Sequence, residues 1–198
     1  MDQDLVDEIN YLLDLLTKSG FFSASEILEI LEDQFIDENV DFSKFNISLN
    51  DFNNFNFSKL EYAFEKLSKK SIICVHNCGY DFEEGVDDIF ELYVHLINNK
   101  YNAQGFCFYT FEDVEYAIND NILKLTFGDF ERSETKSLEV GKMVYNCLDN
   151  ADFDVMWDES INTPIEIHNF VWDKNFDENK EYEIEEVYDF FIGVINEE

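Results

Sequence analysis

A chain of 198 residues with 45 acidic and 13 basic side chains carries a net charge of −32, yet 45% of its residues are hydrophobic and 21 are Phe. That much apolar material argues against global disorder, because its burial offsets the entropy of ordering the chain. The charge argues against direct binding to nucleic acid or an anionic membrane, which needs Lys and Arg to displace counterions.

The sequence points instead to a cationic partner, either a basic protein surface or metal ions. Arg132 is the single arginine. No apolar run approaches the roughly 18 residues of a membrane span, and Met1-Asp2-Gln3-Asp4 is acidic where a secretory signal is basic. The chain therefore reads as cytoplasmic. Its four cysteines, Cys74, Cys78, Cys107 and Cys147, read as reduced thiols, three of them in apolar settings.

Along the chain, Leu5, Ile9, Leu12, Leu13 and Leu16 recur at helical spacing, as do Ile27, Leu28, Leu31 and Phe35 after the capping-box pattern Ser23-Ala24-Ser25-Glu26. Residues 37–57 lack a clean period and read as an irregular connection. Ser58-Lys59-Leu60-Glu61 resembles a second capping box, opening a helix through Leu60, Phe64 and Leu67. Residues 72–75 then form a short β-branched run suited to a buried strand, and Asn77-Cys78-Gly79 a turn.

Val86, Ile89, Phe90, Tyr93, Val94 and Ile97 mark the apolar face of the next helix. A strand is expected at 105–109, a short helix at 111–119 capped by Thr110, and a strand at 122–127. Leu138, Gly141, Val144 and Leu148 line a helix, followed by strands at 153–157 and 164–168. Ile184, Val187, Tyr188, Phe191 and Ile195 fit a terminal helix. This alternation predicts an α/β (or α+β) fold with a single mixed sheet of four to five strands flanked by helices. Three segments follow: a helical 1–70, an α/β core 71–174 and an acidic helical extension 175–198.

Seven glycines form neither a Gly-x-Gly nor a Gly-x4-Gly-Lys loop, so the backbone cradles for phosphate are missing. There is no Gly-x-Ser-x-Gly elbow, and His76, His95 and His168 are too far apart for a zinc helix. Cys74, His76 and Cys78 alternate, and a strand would place all three on one face. The turn at Asn77, the missing fourth ligand and the absence of a Cys-x2-Cys pair all speak against a metal.

Asp173-x-Asn175-x-Asp177 resembles the start of a calcium loop, but Glu178 replaces the turn glycine and Ile184 the bidentate Glu, so it reads as a solvated acidic linker. Neither metal nor cofactor is implied.

Two carboxylate stripes carry more weight. Glu84, Asp87, Asp88, Glu91 and His95 occupy one face of their helix, read as opposite the apolar one; Glu26, Glu29, Glu32 and Asp33 do the same on theirs. Like charges three and four apart destabilise a helix by roughly 0.2–0.5 kcal/mol each. A merely solvated face usually mixes Lys with Glu, and here Lys is scarce, so both stripes are candidate partner-binding surfaces.

Residues 71–174 resemble a bacterial domain-of-unknown-function family. The resemblance is carried by His76-Asn77-x-Gly79-Tyr80, Gly85, Gly105-Phe106-Cys107-Phe108-Tyr109, Phe127-Gly128, Trp157-Asp158 and Phe170-x-Trp172. It implies the same α/β fold, supplies no activity, and draws attention to His76, Asn77, Tyr80, Trp157, Asp158 and Trp172.

Two functional expectations result. The first is a non-enzymatic binding protein that neutralises a cationic partner, such as an immunity protein against a toxin or a nucleic-acid mimic occupying a basic groove. The second is an enzyme or small-ligand binder at the strand ends, with His76, Tyr80 and Asp158 within hydrogen-bonding reach for general acid–base work.

Overall fold

In the computed structural model, residues 3–196 are described. Seven helices are assigned among them: α1 (Gln3–Ser19), α2 (Ala24–Gln34), α3 (Phe55–Ser68), α4 (Phe82–Asn98), α5 (Phe111–Asp120), α6 (Glu134–Asp149) and α7 (Ile184–Asn196). Five strands accompany them: β1 (Ile72–Val75), β2 (Gly105–Phe108), β3 (Leu123–Gly128), β4 (Asp154–Met156) and β5 (Ile165–His168). The strands form one sheet in the order β1-β2-β3-β5-β4; β1 and β2 are parallel, the remaining pairs antiparallel.

The sequence of each strand states how many of its faces are covered. Strands β1 (Ile-Ile-Cys-Val) and β2 (Gly-Phe-Cys-Phe) are continuous apolar runs and are buried at every position. A strand of that kind needs a layer on both sides. Ile73, Val75, Phe106 and Phe108 meet Ile89, Leu92 and Leu96 of α4 and Phe191 of α7.

On the opposite face, Gly105 lies under Val140 of α6, and the thiol of Cys147 donates to the Ala63 carbonyl of α3 at 3.4 Å. Strands β3 and β5, in contrast, alternate buried with half-buried residues over most of their length, the signature of a sheet covered more fully on one face. Leu123, Leu125, Ile165 and Ile167 are fully buried in register with one another, while Lys124 and Glu166 point the other way.

Helix starts follow the expected chemistry where the cap is local. Ser23 and Glu26 form a reciprocal capping box at α2, and Thr110 and Asp113 another at α5. Asp81 and Ser133 cap α4 and α6. Helix α3 departs from expectation: it begins at Phe55, one turn ahead of the Ser58 box, because a distant carboxylate caps it. Asp173 accepts from the backbone N–H groups of Phe55, Asn56 and Phe57 at 2.8–2.9 Å. Those are three of the donors that a helix N-terminus leaves unpaired.

The same segment overturns the reading of 173–177 as a solvated linker. Lys174 is 2% exposed; its ammonium donates to the carbonyls of Gly20 and Asn175 and lies 4.6 Å from the ring centre of Phe21. Asn175 bonds both the N–H and the carbonyl of Phe52. The Trp172 indole N–H donates to the Ser19 carbonyl, and its ring packs with Phe21 and Phe57. Gly20 sits at φ +70°, and an added Cβ would come within 2.4 Å of the Lys174 carbonyl oxygen. Only glycine fits both the dihedral and the approach.

The chain forms two compact units. One contains α1, α2 and the chain as far as Phe57, with Trp172–Lys180. The other contains Ser58–Val171 and the chain from Glu181 onward, and so holds the whole sheet. Within it α7 packs its apolar side against the cluster around β1 and α4.

The buried face of α4 also differs from the expected one. It runs through Gly85, Ile89, Leu92 and Leu96, whereas Val94 and Ile97 are 54% and 47% exposed. At about 100° per residue, Asp87 lies opposite the buried face as expected, while Glu84, Asp88, Glu91 and His95 lie on its flank.

Candidate functional site

Strands β1 and β2 are parallel, so their C-terminal ends open on the same side of the sheet, and the chain leaves them at His76 and Tyr109. The two exits are tied together. His76 Nδ1 and the Tyr109 hydroxyl are 2.9 Å apart. The N–H of Cys78 donates to the Tyr109 carbonyl at 2.8 Å, and those of Phe111 and Glu112 to the carbonyls of Gly79 and Tyr80 at 3.1 Å.

The turn requires left-handed backbone at Asn77 (φ +53°) and Gly79 (φ +68°), and an added Cβ at Gly79 would lie 2.6 Å from the nitrogen of Gly85. Asn77 carries a buried amide oxygen with no hydrogen-bond partner among the described residues.

The surroundings of His76 are aromatic. Its ring stacks on Phe64 with centroids 4.5 Å apart, and meets Tyr109 and Tyr182 edge-on at 5.6 Å. The Tyr182 hydroxyl donates to Glu61 at 3.1 Å. Burial pushes the Tyr109 phenol well above its usual range, with Tyr182, Glu61 and Asp113 adding to the effect, so it remains protonated. The chemistry shown is an imidazole–phenol hydrogen bond that ties two loops together.

The residues expected to complete an acid–base trio lie elsewhere. The Tyr80 ring is 55% exposed and stacks on Phe111. Asp158 follows β4, at the opposite edge of the sheet from β1. Four strand spacings separate those edges, about 19 Å. Asp158 is exposed and holds its own turn, accepting from the Thr163 hydroxyl at 2.5 Å and the Ser160 N–H at 3.0 Å; these bonds hold its carboxyl below the usual range. The structure does not bring His76, Tyr80 and Asp158 together.

Nor do Cys74, His76 and Cys78 converge. Strand β1 ends at Val75, so the alternation stops before Cys78, whose thiol donates to the Gly85 carbonyl at 3.4 Å. Among the described residues no group of three or more His, Cys, Asp or Glu is arranged to hold a metal ion. All four cysteines are free and buried; burial pushes the Cys78 thiol up to about 12 and raises the other three.

The tryptophans are packing residues. Trp157 lies over Gly141 and meets Phe127 edge-on at 5.3 Å, and Trp172 is buried.

The carboxylate stripe on α4 is intact but not uniform. Glu84 accepts from the N–H of Tyr80 at 2.8 Å and helps to hold the turn. Asp88 is half-buried, and its carboxyl is raised by burial and then by Glu84, Glu91 and Asp87. Asp87 and Glu91 are exposed. None of the four forms an ion pair with a described residue. His95 instead meets Tyr188 of α7 edge-on at 4.5 Å.

On α2, Glu26 accepts from the Ser23 N–H at 2.7 Å as part of the capping box, while Glu29, Glu32 and Asp33 are exposed. No helix among the described residues is long and apolar enough to cross a membrane.

No match is found among curated proteins or among solved structures. Residues 53–176, which run from the start of α3 through the sheet to the buried Asp173–Lys174 pair, match the profile of a domain of unknown function, DUF6891, and the chain belongs to that family.

Proposed function

We propose that this protein is an acidic binding protein that neutralises a basic protein partner, such as a cationic toxin or a nucleic-acid-binding protein whose groove it occupies. The observation that carries this reading is the α4 stripe. Four carboxylates share one side of a helix with no ion pair to a basic side chain among the described residues, and their mutual repulsion contributes to the raised carboxyl of Asp88.

Glu84 alone among them serves the fold, through its bond to the Tyr80 N–H; the like-charge pairs that Asp87, Asp88 and Glu91 add are destabilising on a helix. A basic partner would relieve the repulsion on binding, and the acidic field would speed encounter. Glu29, Glu32 and Asp33 of α2 are a second candidate contact of the same kind. The α4 stripe has priority because it lies within the family-matched region, whereas α2 precedes it.

A pull-down from the host lysate at low and moderate salt, with mass spectrometry of the retained proteins, tests the reading when wild type is compared with Asp87→Lys/Asp88→Lys/Glu91→Lys. Retention of one basic protein by wild type at moderate salt, lost in the variant, supports it. A diffuse set of basic proteins shed from both on raising the salt contradicts it.

A further inference from the structure

At the head of α4 an aromatic surface stands open to solvent. Tyr80 and Phe82 are 55% and 60% exposed, yet Tyr80 is not loosely held. Its N–H donates to Glu84 at 2.8 Å, its carbonyl accepts from the N–H of Glu112 at 3.1 Å, and its ring stacks on Phe111 with centroids 6.1 Å apart and planes 25° apart. Phe111 is itself buried.

An exposed ring whose backbone is fixed at both ends loses little entropy when something binds to its free face. That is the property of an aromatic anchor.

Charge decides what that face receives. Asp81, the N-cap of α4, follows Tyr80 directly, Glu84 bonds the Tyr80 N–H from the first turn of α4, and Glu112, whose N–H bonds the Tyr80 carbonyl, lies in the first turn of α5; these three and Glu115 act electrostatically on the phenol. An anion or an apolar side chain would have to approach those carboxylates against repulsion or at a desolvation cost. A cation is attracted both by the carboxylates and by the face of the ring. Guanidinium is favoured over ammonium because it is planar, stacks on an aromatic face and can bond a carboxylate with two N–H groups at once.

We propose that Tyr80 is the docking point for an arginine side chain of a basic protein segment, the ring stacking on the guanidinium while the exposed Glu112 takes its N–H groups. The inference rests on the reading of the protein as a binder of basic partners and gives that reading a specific anchor.

The test is a titration of the isotope-labelled full chain with a synthetic arginine-rich peptide and with a lysine-rich peptide of equal charge, followed by amide resonances in wild type, Tyr80→Ala and Tyr80→Phe. The expected result is shifts centred on Tyr80, Asp81, Phe82 and Glu112, and tighter binding of the arginine peptide. Affinity should fall about tenfold in Tyr80→Ala, as expected for a partly desolvated cation–π contact, and be retained in Tyr80→Phe, since the ring face rather than the hydroxyl is used. Unchanged spectra outside residue 80 would show that Tyr80→Ala is folded.

Shifts spread over the whole acidic surface, with Tyr80→Ala binding as wild type does, would overturn the anchor and leave the wider reading standing. Absence of binding to either peptide at low salt would overturn both.

Discussion

Asp173 is a buried carboxylate surrounded by three backbone N–H groups, whereas Asp87 and Glu91 stand in solvent beside other carboxylates and have no basic partner among the described residues. The first charge is part of the architecture, since it closes the open end of α3 and stands next to a lysine that is itself sealed by carbonyls and aromatic rings. The second contributes nothing to folding that the structure records. In a chain this acidic, net charge says little about function. What separates a structural carboxylate from an available one is whether its acceptor capacity is already used.

The sharpest way to break this comparison is to remove the structural charge. Asp173→Ala strips from α3 the carboxylate that accepts from the N–H groups of Phe55, Asn56 and Phe57, a loss of about 2–3 kcal/mol. Thermal unfolding should fall by roughly 5–10 °C. Lys174→Met should follow at about 1–3 kcal/mol, because the carbonyls of Gly20 and Asn175 lose their donor. Denaturant titration reads both; a midpoint unchanged in either would show that the charge is not structural.

Changes on α4 should act with the opposite sign. The folded-state pKa of Asp88 is raised, so its contribution to stability is fully present below the ordinary carboxylate range and is lost as the pH rises through the raised value. Asp88→Asn should therefore be a few tenths of a kcal/mol more stable than wild type at neutral pH, with the gain vanishing in acid. A variant less stable than wild type at neutral pH would mean that Asp88 has a favourable partner. The smallest effect concerns the thiols. With all four buried and raised, native protein should react with a thiol reagent far more slowly than unfolded protein, and a rapid native reaction would contradict the packing between α3, α6 and the sheet.

Much of the fold was legible because it is governed by local pattern. Ile72-Ile73-Cys74-Val75 is β-branched and apolar throughout, as suits a strand covered on both faces, and Ser23 and Thr110 announce their helices three residues ahead of the acid that completes each box. The centre of the α4 face differs from expectation because the apolar sector of that helix is broad: Val86, Ile89, Phe90 and Tyr93 do pack in the core, but Leu92 and Leu96 lie deeper than Val94 and Ile97. Val94 and Ile97 fit a helical period as well as Leu92 and Leu96 do, and the strands of β1 and β2 select among them.

The cap on α3 was beyond reach, since Asp173 is 118 residues from Phe55 and its own neighbourhood looks like an acidic linker. At the strand ends, sequence identified His76 but not Tyr109, its partner 33 residues on, which was read as the last residue of a strand. Tyr80 was noticed for its place in a motif; its exposure and mounting came from the fold.

The most direct test of the central claim is the rate at which the basic protein retained by wild type at moderate salt associates with two variants of equal net charge: Asp87→Lys/Glu91→Lys on α4 and Glu29→Lys/Glu32→Lys on α2. The account predicts that the α4 reversal slows association at least tenfold more than the α2 reversal and flattens its dependence on salt. Equal slowing by both variants would contradict it, because the α4 stripe would then be one part of a generally acidic surface.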